Sequence, residues 1–138
     1  MKGKTIKELK VGDSASFTKT VTETDVYMFA GISGDFNPAH INEEYAKNTP
    51  FEGRIAHGML SAAFISTVLG TQLPGPGTIY LGQELKFTKP VRFNDTVTIT
   101  CTVSELIEEK NRVILDTTGT NQNGDVVVKG TATVLAPQ

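Results

Sequence analysis

The chain is poor in the residues that build cross-links and metal sites. Its 138 residues include one cysteine, Cys101, two histidines, His40 and His57, and no tryptophan. A single thiol cannot close an intrachain disulfide. Two histidines 17 residues apart also fall short of the three or four protein ligands that a zinc site usually takes. We therefore expect no metal site.

The chain also lacks an excess of either charge and any long apolar run. Thirteen basic and fifteen acidic side chains give a net charge of −2, which favours neither nucleic acid nor an anionic membrane surface. No apolar run reaches the ~18 residues of a membrane span, and we recognise no signal peptide. We expect one domain spanning residues 1–138, located in the cytoplasm.

The second half of the chain has the pattern of a β-sheet. Ten of the nineteen threonines lie from Thr88 onward, and β-branched residues favour strands. Apolar residues alternate with polar ones over 79–87 and 97–103, and two further strands are predicted over 112–120 and 125–135. Turns at 108–111 and 121–124 separate the last three strands, so we expect a long antiparallel meander.

The first half of the chain predicts one strand and several helices. Residues 14–21 read as the opening strand, and Thr22 to Asp25 offer a helix cap, with Gly31 and Gly34 ending that helix. Residues 43–47 can form a short turn of helix. The segment 58–69 is apolar on almost every side, which indicates a buried helix, closed by Gly70. A sheet wrapped around this helix is the expected α+β architecture.

Asp35 and His40 are the first candidate pair for chemistry. They lie five residues apart in the segment Gly34-Asp35-Phe36-Asn37-Pro38-Ala39-His40, which reads as a loop stiffened by Pro38. A carboxylate and an imidazole that converge can hold a water molecule and move its proton. On spacing alone, the alternative is that Asp35 caps the next turn and His40 lies on the surface.

The start of the buried helix is the second candidate site. A helix N-terminus presents unpaired N–H groups and partial positive charge, which suits an oxygen that becomes negative during a reaction. Gly58 would let a ligand approach that backbone. Packing alone would equally explain Gly58, a bond to its own helix would explain Ser61, and a capping or structural role would explain His57.

Together the two segments resemble the MaoC-like family of (R)-specific enoyl-CoA hydratases, which have the hot-dog fold. The resemblance rests on the pattern G-D-x-N-P-x-H at residues 34–40 and on the run I-A-H-G-M-L at residues 55–60. It extends over nearly the whole chain. One departure is visible, because many members carry an aspartate two residues after the motif histidine and this chain has Asn42.

The resemblance implies a reaction and a set of roles. Asp35 and His40 would activate a water that adds to C3 of a trans-2-enoyl thioester and gives a (3R)-3-hydroxyacyl thioester. We expect Asp35 to act as the base, while His40 orients the water and transfers a proton to C2. The Gly58 N–H would stabilise the thioester oxygen, with Ser61 and His57 in ancillary positions. No cofactor is implied, and a homodimer or larger homo-oligomer is expected.

Two other functions stay open. A hot-dog thioesterase would share the fold and the acyl-CoA substrate, but its carboxylate usually lies on or near the central helix, and residues 58–69 contain no Asp or Glu. A non-catalytic module that binds acyl thioesters is the second alternative. Acyl chain length, the choice between CoA and acyl-carrier protein, and the pathway, such as polyhydroxyalkanoate supply or β-oxidation, are left open.

Overall fold

The computed structural model describes all residues from Met1 to Gln138, and it has the α+β architecture that the resemblance implies. Its sheet has five strands in the order β1-β3-β4-β5-β2, and all neighbouring strands are antiparallel. The strands are β1 (Ser14–Thr20), β2 (Ile79–Phe87), β3 (Thr96–Ile107), β4 (Arg112–Thr120) and β5 (Val126–Leu135). The helices are α1 (Glu23–Ser33), α2 (Pro38–Ile41), α3 (Glu43–Ala46) and α4 (Gly58–Thr71).

The predicted meander is correct for three strands and wrong for β2. Strands β3, β4 and β5 follow one another across the sheet, whereas β2 lies beyond β5 at the far edge. The chain after β2 therefore crosses the sheet before β3 pairs with β1. Strands β1 and β2 are the two edges, and each leaves one side without a partner strand in a single chain.

A bulge in β2 also overturns the simple alternation predicted for residues 79–87. The pairing with β5 shifts between Tyr80 and Gly82, so one extra residue reverses the faces of the strand. Tyr80 and Gln83 consequently pair with Val134 and Ala132, which are buried. This places Tyr80 on the inner face, where the uniform alternation had placed Leu81.

The threonine-rich face of the sheet lies away from the core. Four pairs of hydroxyls, from Ser14–Thr102 to Thr20–Thr96, bridge β1 and β3 at 2.8–3.1 Å. Alternate residues of β3 point the other way and are fully or almost fully buried: Val97, Ile99, Cys101 and Val103. The predicted half-buried strand is confirmed.

Helix α4 packs its apolar side against the sheet, as predicted, but only one side of it is buried. The buried positions are Leu60, Ser61, Phe64, Ile65, Val68 and Leu69. Met59, Ala63 and Ser66 are exposed in the single chain. The helix also continues to Thr71, with Gln72 as its C-cap, so Gly70 does not close it. No helix combines the length with the apolar composition that a membrane-spanning segment requires.

Helix α1 delivers the chain to the first motif and is closed at both ends by local chemistry. The Thr22 hydroxyl accepts from the Asp25 N–H at 3.1 Å, and the Asp25 carboxylate accepts from the Thr22 N–H at 2.9 Å. This backbone hydrogen bond is the largest cause of the lowered pKa of Asp25. Gly34 ends the helix with φ at +81°, a conformation glycine tolerates, while Gly31 lies within it.

We expect Thr22→Ala to reduce the free energy of unfolding by about 1 kcal/mol, because the N–H of Asp25 loses its cap. Thr24→Ala is the matched control, since Thr24 is exposed in the same turn and caps nothing. Urea unfolding of both variants measures the difference. Equal stability of the two variants would contradict the capping role.

Candidate functional site

The loop after α1 positions Asp35 through short-range hydrogen bonds. Asp35 Oδ1 accepts from the Asn37 N–H at 3.1 Å, and Asn37 Oδ1 accepts from the Ala39 N–H at 3.1 Å. Asn37 is thereby the N-cap of α2, and Pro38 takes the first helical position, where its missing N–H costs nothing. Asp35 Oδ1 thus caps the turn that follows, which is the alternative role predicted for it. The second oxygen, Oδ2, remains free for other contacts.

His40 lies inside α2 rather than in the predicted loop, and it is buried rather than on the surface. Only 8% of it is exposed. Its Nδ1 lies 2.7 Å from the carbonyl oxygen of Ile55. A carbonyl oxygen only accepts, so Nδ1 carries the hydrogen, and in the neutral ring Nε2 has the lone pair. This hydrogen bond joins the first motif to the second.

His57 packs against the candidate pair, Asp35 and His40. Its ring stacks on His40 with centroids 3.9 Å apart and meets the edge of Phe29 at 5.0 Å. Its Nε2 lies 2.9 Å from the backbone carbonyl of Asp35, to which it donates, and 4.0 Å from Asp35 Oδ2. Nδ1 is buried without a hydrogen-bond partner. His57 therefore contacts both members of the candidate pair, His40 through its ring and Asp35 through its backbone carbonyl.

The spacing of these groups suits one water molecule. Asp35, His40 and His57 each bring a ligand atom within 4.8 Å of the others. Two acceptors that share a water at ordinary hydrogen-bond lengths lie about 4.5 Å apart. The same cluster is a weak metal site, because His40 Nδ1 and His57 Nε2 are committed to carbonyls. Asp35 Oδ2 and His40 Nε2 are then two accessible ligands, below the usual three or four.

The N-terminus of α4 opens beside this cluster. No backbone oxygen accepts from the N–H groups of Gly58 or Met59, as expected for the first residues of a helix. Gly58 is exposed, and a Cβ built on it would come within 2.9 Å of the Phe87 ring. The absence of a side chain at position 58 thus has two consequences. It leaves the Gly58 N–H accessible, and it lets the Phe87 ring lie against the helix.

Two pockets flank this helix start. Pocket A has a volume of about 460 Å³ and is lined by Phe51, Ile55, Ala56, Gly58, Met59, Ser61, Phe87, Thr88, Lys89, Pro90, Val91 and Val127. Pocket B has a volume of about 480 Å³ and is lined by Phe29, Met59, Ala62, Ala63, Tyr80, Gln83, Leu85 and Phe87. Neither wall includes Asp35, His40 or His57. The pair lies beside the pockets, with Ile55 and Phe29 as its links to them.

Ser61 lies in the wall of pocket A and does not contact Asp35 or His40 through a hydrogen bond. It is 3% exposed and lines pocket A. Its hydroxyl makes no hydrogen bond to the helix, to either histidine or to the loop, so the alternative of a bond to its own helix is wrong. The side chain instead places a polar group in the pocket next to the free N–H groups of α4.

Arg54 is a residue that the sequence reasoning did not place at the site. It donates to Glu43 at 2.8 Å and to the Tyr27 hydroxyl at 2.7 Å, and it lies over the Phe93 ring. Hydrogen bonding to Glu43 is the main cause of its raised pKa, and Glu43 has a lowered pKa for the same reason. Arg54 thereby ties α1 and α3 to the segment that carries His57.

Asn42 stands where the resemblance implied an aspartate, and it keeps a capping function. Its Oδ1 accepts from the Tyr45 N–H at 3.1 Å and so caps α3. An amide oxygen and a carboxylate oxygen can both accept this bond. The N-cap of α3 is therefore present in this chain without the negative charge that an aspartate would bring.

Comparison with known proteins finds relatives over most of the chain. Residues 8–125 match the model of the MaoC like domain family. An (R)-specific enoyl-CoA hydratase from Rhodospirillum rubrum is 59% identical over 94% of this chain and 90% of its own length. A 3-hydroxybutyryl-CoA dehydratase from Methylorubrum extorquens is 45% identical over 95% of this chain and 83% of its own.

The solved structures include a similar fold of related sequence. The unliganded R-hydratase PhaJ1 from Pseudomonas aeruginosa superposes with a TM-score of 0.93 at 48% identity, over 99% of this chain and 87% of that one. Sequence, motif order and three-dimensional structure therefore lead to the same assignment. The chain belongs to the MaoC-like family of hot-dog proteins.

Proposed function

We propose that this chain is an (R)-specific enoyl-CoA hydratase, a hydro-lyase that adds water to trans-2-enoyl-CoA and, in reverse, dehydrates (3R)-3-hydroxyacyl-CoA. The observation that carries the proposal is the meeting of Asp35 and His40 beside the free N-terminus of α4. The 59% identical relative bears the name of this activity. In a conjugate addition, positive charge develops on the attacking water and negative charge on the thioester oxygen. The Asp35–His40 pair would complement the first charge, and the N-terminus of α4 would complement the second.

Asp35 and His40 would hold the attacking water as a unit. Asp35 Oδ2 and His40 Nε2 are both acceptors, so each can take one hydrogen of the same water, which leaves an oxygen lone pair for C3. As the C–O bond forms, one of the pair takes a proton from the water and the other hydrogen stays on the new hydroxyl. Neutral Nε2 has no hydrogen of its own to give, so the proton that C2 receives is the one the pair has taken.

The N-terminus of α4 would stabilise the other end of the reacting system. Conjugate addition moves negative charge onto the thioester oxygen. The unpaired N–H groups at Gly58 and Met59 and the positive end of a 14-residue helix favour that charge. The hydroxyl of Ser61 adds a further donor at the wall of pocket A.

The thioesterase alternative finds less support in the site. Helix α4 carries no carboxylate. The candidate carboxylate, Asp35, lies in the loop after α1, clustered with two imidazoles. Release of free thiol from acyl-CoA, followed with a thiol-reactive dye, would reveal hydrolysis. A purely binding role would give neither thiol nor loss of the enoyl absorbance.

Asp35→Asn tests the pair with little change in shape. The amide oxygen can still accept from the Asn37 N–H, but it is not basic, so we expect kcat for crotonyl-CoA hydration to fall by about 10²–10⁴-fold. Asp116→Asn is the matched control, since Asp116 is exposed on β4. His40→Ala should lose activity comparably, and chiral analysis should show an (R) product. Near-normal turnover in Asp35→Asn or His40→Ala, or an (S) product, would refute the assignment.

Two substitutions of His57 separate its hydrogen bond from its packing. His57→Phe keeps an aromatic ring on His40 but cannot donate to the Asp35 carbonyl, and we expect kcat to fall about 10- to 100-fold with KM little changed. His57→Gln retains a donor and should recover most of that loss. Thermal unfolding of both variants reports the structural cost separately. Equal kcat in the two variants would show that the donor at 57 does not position the pair.

We also propose that two copies of the chain pair through the free edge of β2. Ile79 and Leu81 are 57% and 46% exposed there, whereas the other edge strand, β1, carries hydroxyls and lysine. The exposed side of α4 lies next to this edge, because pocket B has walls from both elements. An unpaired apolar edge and helix face are surfaces that a second copy can cover.

Light scattering should therefore give a mass of at least twice the 14.9 kDa of one chain. Ile79→Lys places a charge on the edge and should shift the protein toward monomer. Val11→Lys is the matched control, because Val11 is 64% exposed in a turn. A monomeric wild-type chain, or equal dissociation of the two variants, would contradict pairing through β2.

A further inference from the structure

The four-residue helix α2, which carries His40, is held in place by contacts from outside itself. A helix of one turn has little stability of its own, so its position depends on what it touches. Ile55 contacts it through two hydrogen bonds. The Ile55 N–H donates to the Ala39 carbonyl at 3.1 Å, and the Ile55 carbonyl accepts from His40 Nδ1 at 2.7 Å. The Ile55 backbone therefore determines where the His40 ring lies.

Arg54, the residue before Ile55, reaches α2 by a second route through its side chain. Its Nη1 donates to the Tyr27 hydroxyl at 2.7 Å. Because a guanidinium only donates, the hydroxyl accepts from it and keeps its own hydrogen for another acceptor. That hydrogen goes to the carbonyl oxygen of Ile41, the last residue of α2, at 3.2 Å. Arg54 thus acts on α2 through the backbone of its neighbour and through Tyr27.

The Arg54 side chain is itself fixed by its surroundings. It is 19% exposed, and its Nε donates to Glu43 Oε2 at 2.8 Å while Nη1 lies 3.4 Å from Glu23 Oε1. The guanidinium also lies 4.8 Å from the centroid of the Phe93 ring. These contacts leave in different directions from one planar group. A lysine ammonium is a single point donor and cannot make them together.

Arg54 and Tyr27 lie outside the space in which a substrate would bind. Neither residue lines pocket A or pocket B. Neither makes a hydrogen bond or ion pair with the side chains of Asp35, His40 or His57. Their effect on the candidate pair is therefore exerted through the positions of α2 and of the Ile55 backbone. A misplacement of about 1 Å at a reacting group can lower a rate about 100-fold.

We propose that Arg54 is a positioning residue for the hydration reaction and that Tyr27 transmits its effect to α2. The inference rests on the proposed hydratase function and deepens it. Arg54 holds α2 and the Ile55 backbone in one arrangement. This arrangement keeps the Nδ1 hydrogen of His40 on the Ile55 carbonyl, and it keeps the Nε2 lone pair available to the water that is shared with Asp35.

Steady-state kinetics with crotonyl-CoA test this role. Arg54→Lys keeps the charge but not the directed hydrogen bonds, and Tyr27→Phe keeps the ring but not the hydroxyl. We expect each variant to lower kcat about tenfold or more, with KM within about threefold of the wild type, because the pockets are untouched. The double variant should lose about as much as Arg54→Lys alone, since both residues act in one relay.

The control is Lys19→Gln, which removes a different ion pair of α1. Lys19 Nζ lies 3.0 Å from Asp25 Oδ2, and neither residue contacts α2. Its kcat should stay within about threefold of the wild type, below the loss expected for a displaced reacting group. Circular dichroism and thermal unfolding verify that each variant is folded at the assay temperature.

The NMR signals of the imidazole nitrogens report positioning independently of turnover. The structure gives the two histidines of the chain opposite tautomers, with the hydrogen on Nδ1 of His40 and on Nε2 of His57. In Arg54→Lys and Tyr27→Phe, the two nitrogen resonances of His40 should move toward each other as its tautomers mix. Those of His57 should stay in place. A loss of stability alone would not produce this change in the folded protein.

Three results overturn the inference alone. They are an unchanged kcat in both Arg54→Lys and Tyr27→Phe, a lowered kcat with unmoved His40 resonances, and an equal loss in Lys19→Gln. Losses that multiply in the double variant overturn the relay through Tyr27. A wild-type chain that hydrates neither crotonyl-CoA nor a longer trans-2-enoyl-CoA overturns the proposed function, and with it the role of Arg54 in the reaction.

Discussion

The hydrogen bond from His40 Nδ1 to the Ile55 carbonyl is the contact on which the site depends. It spans 2.7 Å and joins two segments that lie 15 residues apart in the chain. It determines which ring nitrogen of His40 carries the lone pair, and it determines where that nitrogen is relative to Asp35. Because the bond is buried, water does not compete for it, and losing it would leave an unpaired carbonyl in the interior.

The rest of the site follows from the way α4 begins. His57 is its N-cap residue, and its imidazole turns away from the helix to stack on His40 and bond the Asp35 carbonyl. Because His57 makes no capping hydrogen bond, the first N–H groups of α4 remain free. One residue therefore supports the candidate acid–base pair while leaving the positive end of the helix open to a ligand.

Local sequence signals predicted much of this structure. The Thr22–Asp25 cap, the strands of the second half and the start of α4 at Gly58 were readable because caps, alternation and apolar faces are local features. The prediction of a loop at His40 is wrong, because Pro38 occupies the first position of α2 instead of stiffening a loop. The prediction that Gly70 closes α4 is also wrong, because a helix packed on a sheet tolerates glycine on its exposed side.

The features that could not be predicted depend on residues distant in sequence. The bulge between Tyr80 and Gly82 moves Tyr80 to the inner face. The hydrophobic periodicity of the strand does not predict this bulge. The position of β2 beside β5 likewise depends on long-range pairing. Phe87 reaches the helix start because position 58 lacks a side chain, and those two residues are 29 apart. Gly58 is the local signal of this contact: the sequence predicts room for a ligand there, and the structure shows that the same glycine also makes room for the Phe87 ring.

The site has a buried part, formed by His40, His57 and Ser61, and an exposed rim, formed by Asp35, Met59 and Phe87. His40, His57 and Ser61 are each at least nine-tenths buried, so their positions are set by packing before any ligand arrives. Asp35 has a side chain that is 50% exposed, and Met59 and Phe87 are as open. A thioester that covers this rim would displace bulk water from the Asp35 carboxylate and from the α4 N–H groups. In the proposed reaction, their electrostatic effect on the reacting atoms would strengthen as water leaves, so binding of the acyl group and activation of the attacking water would be coupled.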